Sequence, residues 1–414
     1  MKKGLSLIVS VRFGKVYCNT FSRAIGVSNG ERSLKKENIL ILFNEDRIID
    51  SYPYISNLAM LLSREYEIDF LVTTSMYSPC DYFNLYKTSK SNYTKSAIDH
   101  LNKYGRKYSF VIAFSIEGIW ATQYYNTLHF LHPIPFSYFS MEFFDAEKKS
   151  PITVSLISRL AKKLPIGRPK FSVAQDVARA KCVSKHFDFV DKVHLLPNSY
   201  IGFSDEKSDF AYRRFGISSD KKILLFSGAL ERWNFDINIV KYLEKILRTG
   251  EYVLLLSGFS RDNYIKEIFS TYSSFIDQKL VVVNTNMFDK QQYSELVKSA
   301  YIGLAWYVKL NKKDLTILQY DNLYYMGLSS GKLCKYLSCS VPVIVPSYYY
   351  GYSDLMKEYA VGEATTGSSM SDKIIKINES YKTYTKNVKK FYTNNLEFEK
   401  QSKDIIEQIK LFSR

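Results

Sequence analysis

Short apolar runs recur along this chain, separated by segments with apolar residues at helical spacing. In the first half the runs cover residues 38–43, 68–72, 109–114 and 136–139, and in the second half 222–226, 252–256, 280–283, 302–305 and 341–345. Such runs are typical of buried strands, and their alternation with helical segments indicates parallel sheets covered by helices on both faces. The sequence therefore predicts an α/β fold with two Rossmann-like parallel sheets.

A chain of 414 residues is long enough for two domains of ordinary size. We expect the first at residues 1–198, after an irregular start of about 35 residues, and the second at residues 199–388. Residues 195–199 are interpreted as the passage between them. Residues 389–414 are predicted to form one or two helices, with these apolar residues available for packing: Phe391, Leu396, Phe398, Ile405, Ile409 and Phe412.

A polar loop, a short helix and a buried strand are predicted in residues 327–345. Ser329, Ser330 and Gly331 are small residues at the start of the helix, where backbone N–H groups lack partners and the helix dipole presents partial positive charge. Lys332 adds a full positive charge. The pattern favours phosphate binding, although an ordinary helix and strand without a ligand would also have it.

Residues 330–337 resemble the second nucleotide-sugar motif of GT-B glycosyltransferases, which often reads small-Pro-Asn-Lys-Leu-Phe-Glu-Tyr-Met. Residues 227–233 resemble the glycine-rich turn after the first strand of the donor domain in the same proteins. From residue 38 onward the chain is similar to glycosyltransferase family four, also called glycosyl transferases group 1. Two positions depart from the motif. Lys335 replaces a Glu that accepts hydrogen bonds from the ribose, which a lysine cannot do, and Gly327 replaces an acidic residue.

The resemblance implies a GT-B architecture, in which two Rossmann-like domains face a central cleft and a C-terminal helix crosses back to the first domain. It implies a nucleotide-sugar as co-substrate and no resident cofactor. No metal is predicted, because backbone N–H groups and cations can stabilise the leaving phosphate. Lys335 belongs to the donor site that the resemblance implies, together with Ser329, Ser330, Gly331 and Lys332.

Other donor-binding residues are predicted in the loops that follow strands of the second sheet. Gly228 and Ala229 lie in the glycine-rich turn, where small residues let the backbone approach the donor. Gly258, Asn286 and Met287 lie in two loops that the resemblance assigns to base recognition, although a structural turn explains these loops equally well.

Arg232 is predicted, with Lys332, to supply the positive charge that the departing phosphate needs. The family often has an Arg directly after the glycine of the turn, and Ala229 occupies that position here. A solvated loop arginine is an equally good interpretation of Arg232.

Two carboxylates of the first half follow predicted strands. Ligands of open α/β sheets bind beyond the carboxyl ends of strands, so Glu117 and Glu142 are candidates for the catalytic groups in the cleft. Glu142 also resembles a carboxylate found at that place in related glycosyltransferases. An inverting enzyme would need such a base, whereas a retaining one would use the donor phosphate, and the sequence does not choose between them. His129 and His132 are alternatives as a base.

The net charge of +16 would attract nucleic acid, an anionic membrane surface or phosphorylated substrates. Residues 151–164 have the spacing of a basic amphipathic helix, which suits either an anionic membrane or ordinary core packing. No apolar run approaches the roughly 20 residues that span a bilayer. The five cysteines lack metal-site spacing and fit a reducing compartment, so we expect a cytoplasmic protein, in solution or peripheral on the inner face of the cytoplasmic membrane.

The expected function is therefore glycosyl transfer, of a hexose or a related sugar, without metal. The donor is a nucleotide-sugar, and the acceptor is a bacterial surface glycan, such as lipopolysaccharide or capsule, or its lipid-linked precursor. Three alternatives stay open: a catalytically inactive glycosyltransferase-like partner, a nucleotide-sugar epimerase, and a basic nucleic-acid-binding protein that lacks a recognisable binding module.

Overall fold

The computed structural model describes residues 36–44, 52–73, 83–140, 167–186, 192–260, 263–309 and 323–413. The strands of one sheet are β1 (Asn38–Phe43), β2 (Glu67–Val72), β3 (Asn84–Lys87), β4 (Tyr108–Ala113), β5 (Phe136–Phe139), β6 (Ser172–Ala174) and β7 (Val193–Leu195). The strands of the other are β8 (Lys222–Ser227), β9 (Tyr252–Ser257), β10 (Val281–Asn284), β11 (Ile302–Leu304), β12 (Val343–Pro346) and β13 (Gly362–Thr365).

The spatial order is β3-β2-β1-β4-β5-β6-β7 in the first sheet and β10-β9-β8-β11-β12-β13 in the second. All neighbouring strands are parallel. Each sheet is covered on both faces by buried apolar side chains. The prediction of an α/β fold with two parallel sheets is confirmed.

Helices connect the strands and cover the sheets. Those of the first half are α1 (Pro53–Leu62), α2 (Tyr93–Tyr104), α3 (Ile116–Leu128) and α4 (Val177–His186). Those that follow are α5 (Phe210–Phe215), α6 (Ile239–Leu247), α7 (Tyr264–Asp277), α8 (Lys290–Lys298), α9 (Gly331–Ser338), α10 (Tyr352–Tyr359), α11 (Met370–Glu379), α12 (Tyr381–Phe391) and α13 (Phe398–Ser413).

Four strands were not predicted from the sequence, namely β3, β6, β7 and β13. Each has only three or four residues, and three of them include a charged or imidazole side chain, namely Lys87, His194 and Glu363. Such segments do not form the continuous apolar runs that identify a central strand. They are strands because parallel neighbours extend the sheet to its edges, which is a tertiary effect.

Tyr336 determines how α9 packs on the second sheet. Its ring fills the space beside Gly303 that a side chain at that position would occupy. Its hydroxyl donates to the carbonyl oxygen of Leu225 at 2.8 Å and accepts from the N–H of Ser227 at 2.9 Å. These contacts hold the first turns of α9 beside the carboxyl end of β8.

The last two helices contact different sheets. Val388 and Phe391 of α12 belong to a core on the second sheet, whereas Phe398, Ile405 and Ile409 of α13 belong to a core on the first. A π-helical turn at Tyr392–Leu396 lies between the two helices. The prediction that the C-terminal helix crosses back to the first half is confirmed.

No helix in the described part of the chain has the length and apolarity needed to cross a membrane. The first 35 residues, the predicted amphipathic helix at 151–164 and Glu142 lie outside the described residues. Nothing in the structure therefore bears on those expectations.

Candidate functional site

The loops after β8 and β9 approach each other at their glycines. A side chain at Gly258 would overlap the carbonyl oxygen of Gly228, and Gly228 itself has a φ of +138°. The N–H of Gly228 donates to Ser257 at 3.0 Å, and that of Gly258 donates to Asn284 at 3.0 Å. Backbone contacts thus join the carboxyl ends of β8, β9 and β10. Because both turns have glycine at this point, a ligand can approach the backbone there without meeting a side chain.

Lys332, in the first turn of α9, extends toward this glycine turn. A Cβ atom at Gly228 would be 3.3 Å from Lys332 Cε and 3.6 Å from its Nζ. The ammonium donates to the carbonyl oxygen of Trp306 at 3.1 Å and lies 3.9 Å from the ring centre of Phe226 and 4.2 Å from that of Tyr307. The structure therefore brings together two of the predicted donor-binding positions from different parts of the sequence.

The ammonium of Lys332 has no carboxylate within ion-pair distance among the residues that the structure describes. Burial lowers the pKa of Lys332 well below its ordinary value. The aromatic rings and one carbonyl oxygen offset only part of the cost of desolvating the charge. An anion placed beside Gly228 would supply the missing negative charge.

Ser330 begins α9 as its N-cap. Its side-chain oxygen accepts from the N–H of Leu333 at 3.2 Å and lies 2.7 Å from the hydroxyl oxygen of Tyr307. The predicted start of the helix at Ser330 and Gly331 matches the structure. Because the cap satisfies one backbone N–H group, the amides of Gly331 and Lys332 remain as the donors without intrahelical partners at this end.

The loop that leads into α9 is bound by residues of the first half. Asp176 Oδ2 accepts from the N–H of Leu328 at 3.1 Å, and Asn198 Nδ2 donates to the carbonyl oxygen of Ser329 at 3.0 Å. Arg179, which is 3% exposed, donates from Nε to the carbonyl oxygen of Tyr325 at 2.9 Å. The first and second halves therefore meet directly beside the candidate anion site.

The sequence did not identify Asp176, Arg179 or Asn198 as site residues. Asn198 lies in the passage at 195–199, which was interpreted only as a connection between domains, and Asp176 and Arg179 lie in a polar stretch that directly follows the β6 segment. Contacts of Asp176 and Arg179 with positions about 150 residues away cannot be read from local patterns.

Lys335 is one turn further along α9 and is only 8% exposed. Its Nζ donates to Ser294 Oγ on α8 at 3.1 Å and lies 4.8 Å from the ring centre of Tyr200. Burial lowers the pKa of Lys335. A second, largely buried cation therefore stands where the resembling motif has a carboxylate.

Arg232 and the exposed loop after β10 lie on the surface. The Arg232 side chain is 67% exposed, pairs with Glu267 of α7, and has its guanidinium carbon 4.6 Å from the ring centre of Tyr264. Asn286 is exposed and donates from its N–H to Asn284 Oδ1 at 3.2 Å, and Met287 is 69% exposed. These predicted residues lie in the loops that follow β8 and β10. Their described contacts are with other protein groups and do not indicate a ligand-binding role.

Ala229 is fixed within the turn by Asn234, which is 3% exposed and donates to the Ala229 carbonyl oxygen at 2.5 Å. Trp306, whose carbonyl oxygen accepts from Lys332, is itself oriented by a hydrogen bond of 3.3 Å from its indole N–H to Asp236. Asp236 is 6% exposed and was not predicted. Asp236 is therefore linked to Lys332 through one intervening residue, Trp306.

In the first half, Glu117 lies in the first turn of α3, directly after the carboxyl end of β4. Ser115 caps this helix by accepting from the N–H of Gly118 at 3.2 Å. The negative charge of Glu117 contributes to the raised pKa values of Tyr93 and Tyr138, for which burial is the main cause. Glu117 therefore remains at the sheet edge where the sequence analysis expected it.

His129 and His132 lie at the opposite end of α3. They precede β5, at the amino ends of the strands, whereas the predicted cleft lies at the carboxyl ends. A helix of 13 residues separates them from Glu117, which corresponds to about 20 Å. This placement excludes both histidines as bases for chemistry at the carboxyl ends.

Comparison with solved structures finds the same two-sheet architecture in glycosyltransferases. The chain is similar to WaaG, a glycosyltransferase involved in lipopolysaccharide biosynthesis, with 13% identity, a TM-score of 0.60 and coverage of 89% of this chain and 98% of that chain. It is similar to Anabaena Alr3699/HepE in complex with UDP, with 12% identity, a TM-score of 0.62 and coverage of 90% and 99%. It is also similar to a glycosyltransferase from Rickettsia africae, with 11% identity, a TM-score of 0.62 and coverage of 92% of this chain and 99% of that chain.

No family model matches the sequence, and no curated protein matches it. At these identities the structural likeness concerns the fold, which is the GT-B fold.

Proposed function

We propose that this chain is a glycosyltransferase that moves a sugar from a nucleotide-sugar donor to a glycan acceptor. The observation that carries the proposal is the buried ammonium of Lys332, which faces the Gly228 turn and has no carboxylate partner among the described residues. A donor phosphate would supply the missing charge. HepE, which has the same fold, binds UDP and UDP-glucose in its structures, and this supports a nucleotide-sugar donor for the chain.

The reaction would break the bond between the anomeric carbon of the sugar and the phosphate oxygen, and form a bond from that carbon to an acceptor hydroxyl oxygen. The bond electrons leave with the nucleotide phosphate, and the acceptor proton passes to a base or to the departing phosphate. In this proposal, Lys332 and the amides of Gly331 and Lys332 stabilise the charge that develops on the phosphate, which their position at the start of α9 beside Gly228 supports. We propose that these groups serve without a metal ion.

Glu117, Glu142, Arg232 and Lys335 also have roles in this proposal. Glu117 is the proposed base of the first half, because it lies at the carboxyl end of β4; Glu142 is retained on the resemblance alone. Arg232 would have to leave Glu267 to reach a phosphate, so we assign the main charge to Lys332. Lys335 is proposed to alter ribose recognition, since it donates hydrogen bonds where a carboxylate would accept them.

We further propose that the acceptor is a bacterial surface glycan or its lipid-linked precursor and that the protein works in the cytoplasm at the inner face of the membrane. The similarity to WaaG supports this choice, because that protein acts in lipopolysaccharide biosynthesis.

The test compares the wild-type protein with Lys332→Met and with Lys266→Met, a matched control that removes an exposed lysine of α7. Thermal stabilisation by uridine, guanosine, cytidine and adenosine diphosphates is measured first, since a ligand at about 100 times its Kd adds roughly 2.7 kcal/mol. We expect stabilisation by one nucleotide in the wild type and the control, and its loss in Lys332→Met.

Release of free nucleotide from the matching nucleotide-sugar is then followed with and without glycan acceptors. Release that depends on the acceptor, and that falls about 100-fold in Lys332→Met, would support transfer. Nucleotide binding without turnover would favour the inactive partner protein. The absence of binding by every nucleotide would contradict the donor site.

A further inference from the structure

A second surface lies at the amino ends of the strands, opposite the candidate site. It consists of the residues that precede four neighbouring strands of the first sheet, β4, β5, β6 and β7. The described parts of these connections are 102–107, 127–135, 167–171 and residue 192. We call this surface the basic edge.

Three large apolar side chains project from the basic edge. Leu128 is 56% exposed, Phe130 is 62% exposed and Leu131 is 73% exposed. These three residues, which we call the apolar tip, are at the end of α3. Large apolar side chains that are exposed together over four positions indicate a surface that binds something apolar.

The loop that carries the apolar tip has a defined structure. The side chain of Asn126 donates to the carbonyl oxygen of Ile134 at 2.9 Å and accepts from the N–H of Ile134 at 2.8 Å. Within the loop, the N–H of His132 donates to the carbonyl oxygen of His129 at 2.9 Å. The exposure of the tip therefore results from a hydrogen-bonded loop that holds these side chains outward.

Cations lie in the stretches on both sides of the tip. The described stretches of the basic edge contain Lys103, Arg106, Arg168, Lys170 and Lys192, all in exposed positions, and none of these stretches contains Asp or Glu. Lys107, in the same turn as Arg106, forms an ion pair with Asp69, so its charge is already compensated.

Direct contacts join these stretches into one surface. The ring of Tyr125 on α3 occupies the space beside Gly105, so the turn with Lys103 and Arg106 packs against α3. The side chain of Gln123 on α3 donates to the carbonyl oxygen of Gly167 at 2.7 Å, which brings the stretch with Arg168 and Lys170 to the same helix. The ring of His129 stacks on Tyr125 at 4.3 Å between centres.

We propose that the basic edge docks on an anionic lipid bilayer, with the apolar tip entering the interface and the cations contacting lipid phosphates. Aliphatic and aromatic side chains surrounded by Lys and Arg have the chemistry of an interfacial membrane contact. A nucleic acid would attract the same cations, but Leu128 and Leu131 would gain little from a solvated phosphate backbone. This proposal does not depend on glycosyl transfer.

The test uses the full chain and flotation with vesicles of phosphatidylcholine alone or with added phosphatidylglycerol, at low and at physiological ionic strength. One variant changes the tip, Phe130→Ser with Leu131→Ser, and another changes the charge, Lys103→Gln with Arg106→Gln. The matched controls are Phe269→Ser, an apolar residue of α7 that is 44% exposed, and Lys382→Gln with Lys386→Gln on α12. Unchanged circular dichroism and thermal midpoints verify folding.

We expect binding to the anionic vesicles only, with the bound-to-free ratio reduced at least about tenfold in both edge variants and unchanged in both controls. Equal binding of the tip variant would overturn the proposal, as would the failure of the wild-type chain to bind anionic vesicles. Binding to single-stranded DNA with no binding to vesicles would assign the edge to nucleic acid instead.

Discussion

The carboxylate of Asp176 lies against the α-carbon of Gly327, in the space that a side chain at position 327 would need. One carboxylate oxygen accepts from the N–H of Leu328 at 3.1 Å, and the other accepts from the N–H of Arg179 at 2.9 Å. Gly327 has a φ of +36°, which favours glycine. The acidic group that the resembling motif carries at 327 is absent, and a carboxylate of the first half occupies the place.

A double-mutant cycle tests this relationship. Gly327→Ala is expected to lower the free energy of unfolding by about 2 kcal/mol, because the backbone conformation is unfavourable and the new methyl group meets Asp176. In an Asp176→Ala background the new methyl group no longer meets the carboxylate. The free energy of unfolding of the double variant should therefore fall by less than the sum of the two single-variant decreases. Chemical denaturation measures all four proteins. Additivity within about 0.5 kcal/mol would contradict the proposed contact.

Lys332→Met is expected to stabilise the protein without ligand while removing nucleotide binding. Burial lowers the pKa of Lys332, and an apolar side chain of similar length avoids the cost of desolvating the ammonium. The free energy of unfolding at pH 7 should rise by roughly 1 kcal/mol. The gain should shrink as pH rises toward the ordinary lysine pKa, because deprotonation then removes the same cost from the wild type. A loss of stability at pH 7 would mean that the ammonium is compensated.

Gly258→Ala tests the close approach of the two glycine turns. The added methyl group would overlap the carbonyl oxygen of Gly228, so the loop after β8 or β9 must move. We expect a loss of about 3 kcal/mol in the free energy of unfolding. Gly331→Ala is the matched substitution. The atom nearest to its methyl group would be the side-chain amide nitrogen of Asn198 at 3.2 Å, so the change should cost less than about 1 kcal/mol. Equal losses would exclude the steric explanation.

His100 should make stability depend on pH. Its Nε2 lies 2.6 Å from the hydroxyl oxygen of Tyr108, which donates to the buried Asp69 at 2.8 Å. Burial, together with the positive charges of Lys107 and Lys103, lowers the pKa of His100 from 6.5 to about 4, against the opposing effect of Asp69.

Between pH 6.5 and pH 4 the unfolded state therefore binds a proton that the folded state does not, and the free energy of unfolding should fall with decreasing pH by up to about 3 kcal/mol. Replacement of His100 by Gln should flatten this part of the profile, as measured by denaturation at several pH values. An unchanged slope would show that other groups control it.

The sequence could predict the central strands and the start of α9 because their signals are local. The β1 and β8 segments are nearly continuous apolar runs, and Ser330 with Gly331 has the composition of a helix start. Lys332 was identified by the motif, and the structure adds its position between Phe226 and Tyr307.

The contacts between the two halves could not be predicted in the same way. Asp176 and Leu328 are 152 positions apart, and no local pattern indicates which polar residues of one half will meet the other. The ion pair of Arg232 with Glu267 could not be predicted for the same reason, because it depends on where α7 packs. The edge strands were missed because β3 and β7 are short and their neighbours, rather than their own side chains, determine their conformation.

Helix α13 is synthesised after the described strands of both sheets, yet Phe398, Ile405 and Ile409 complete the core of the first sheet. Roughly 200 residues separate the end of β7 from the start of α13, which a ribosome adds in about 10–40 s. During that interval the emerging first half exposes the apolar surface that α13 later covers. The nascent chain should therefore bind chaperones that hold apolar segments, and its release from them should require the synthesis of α13.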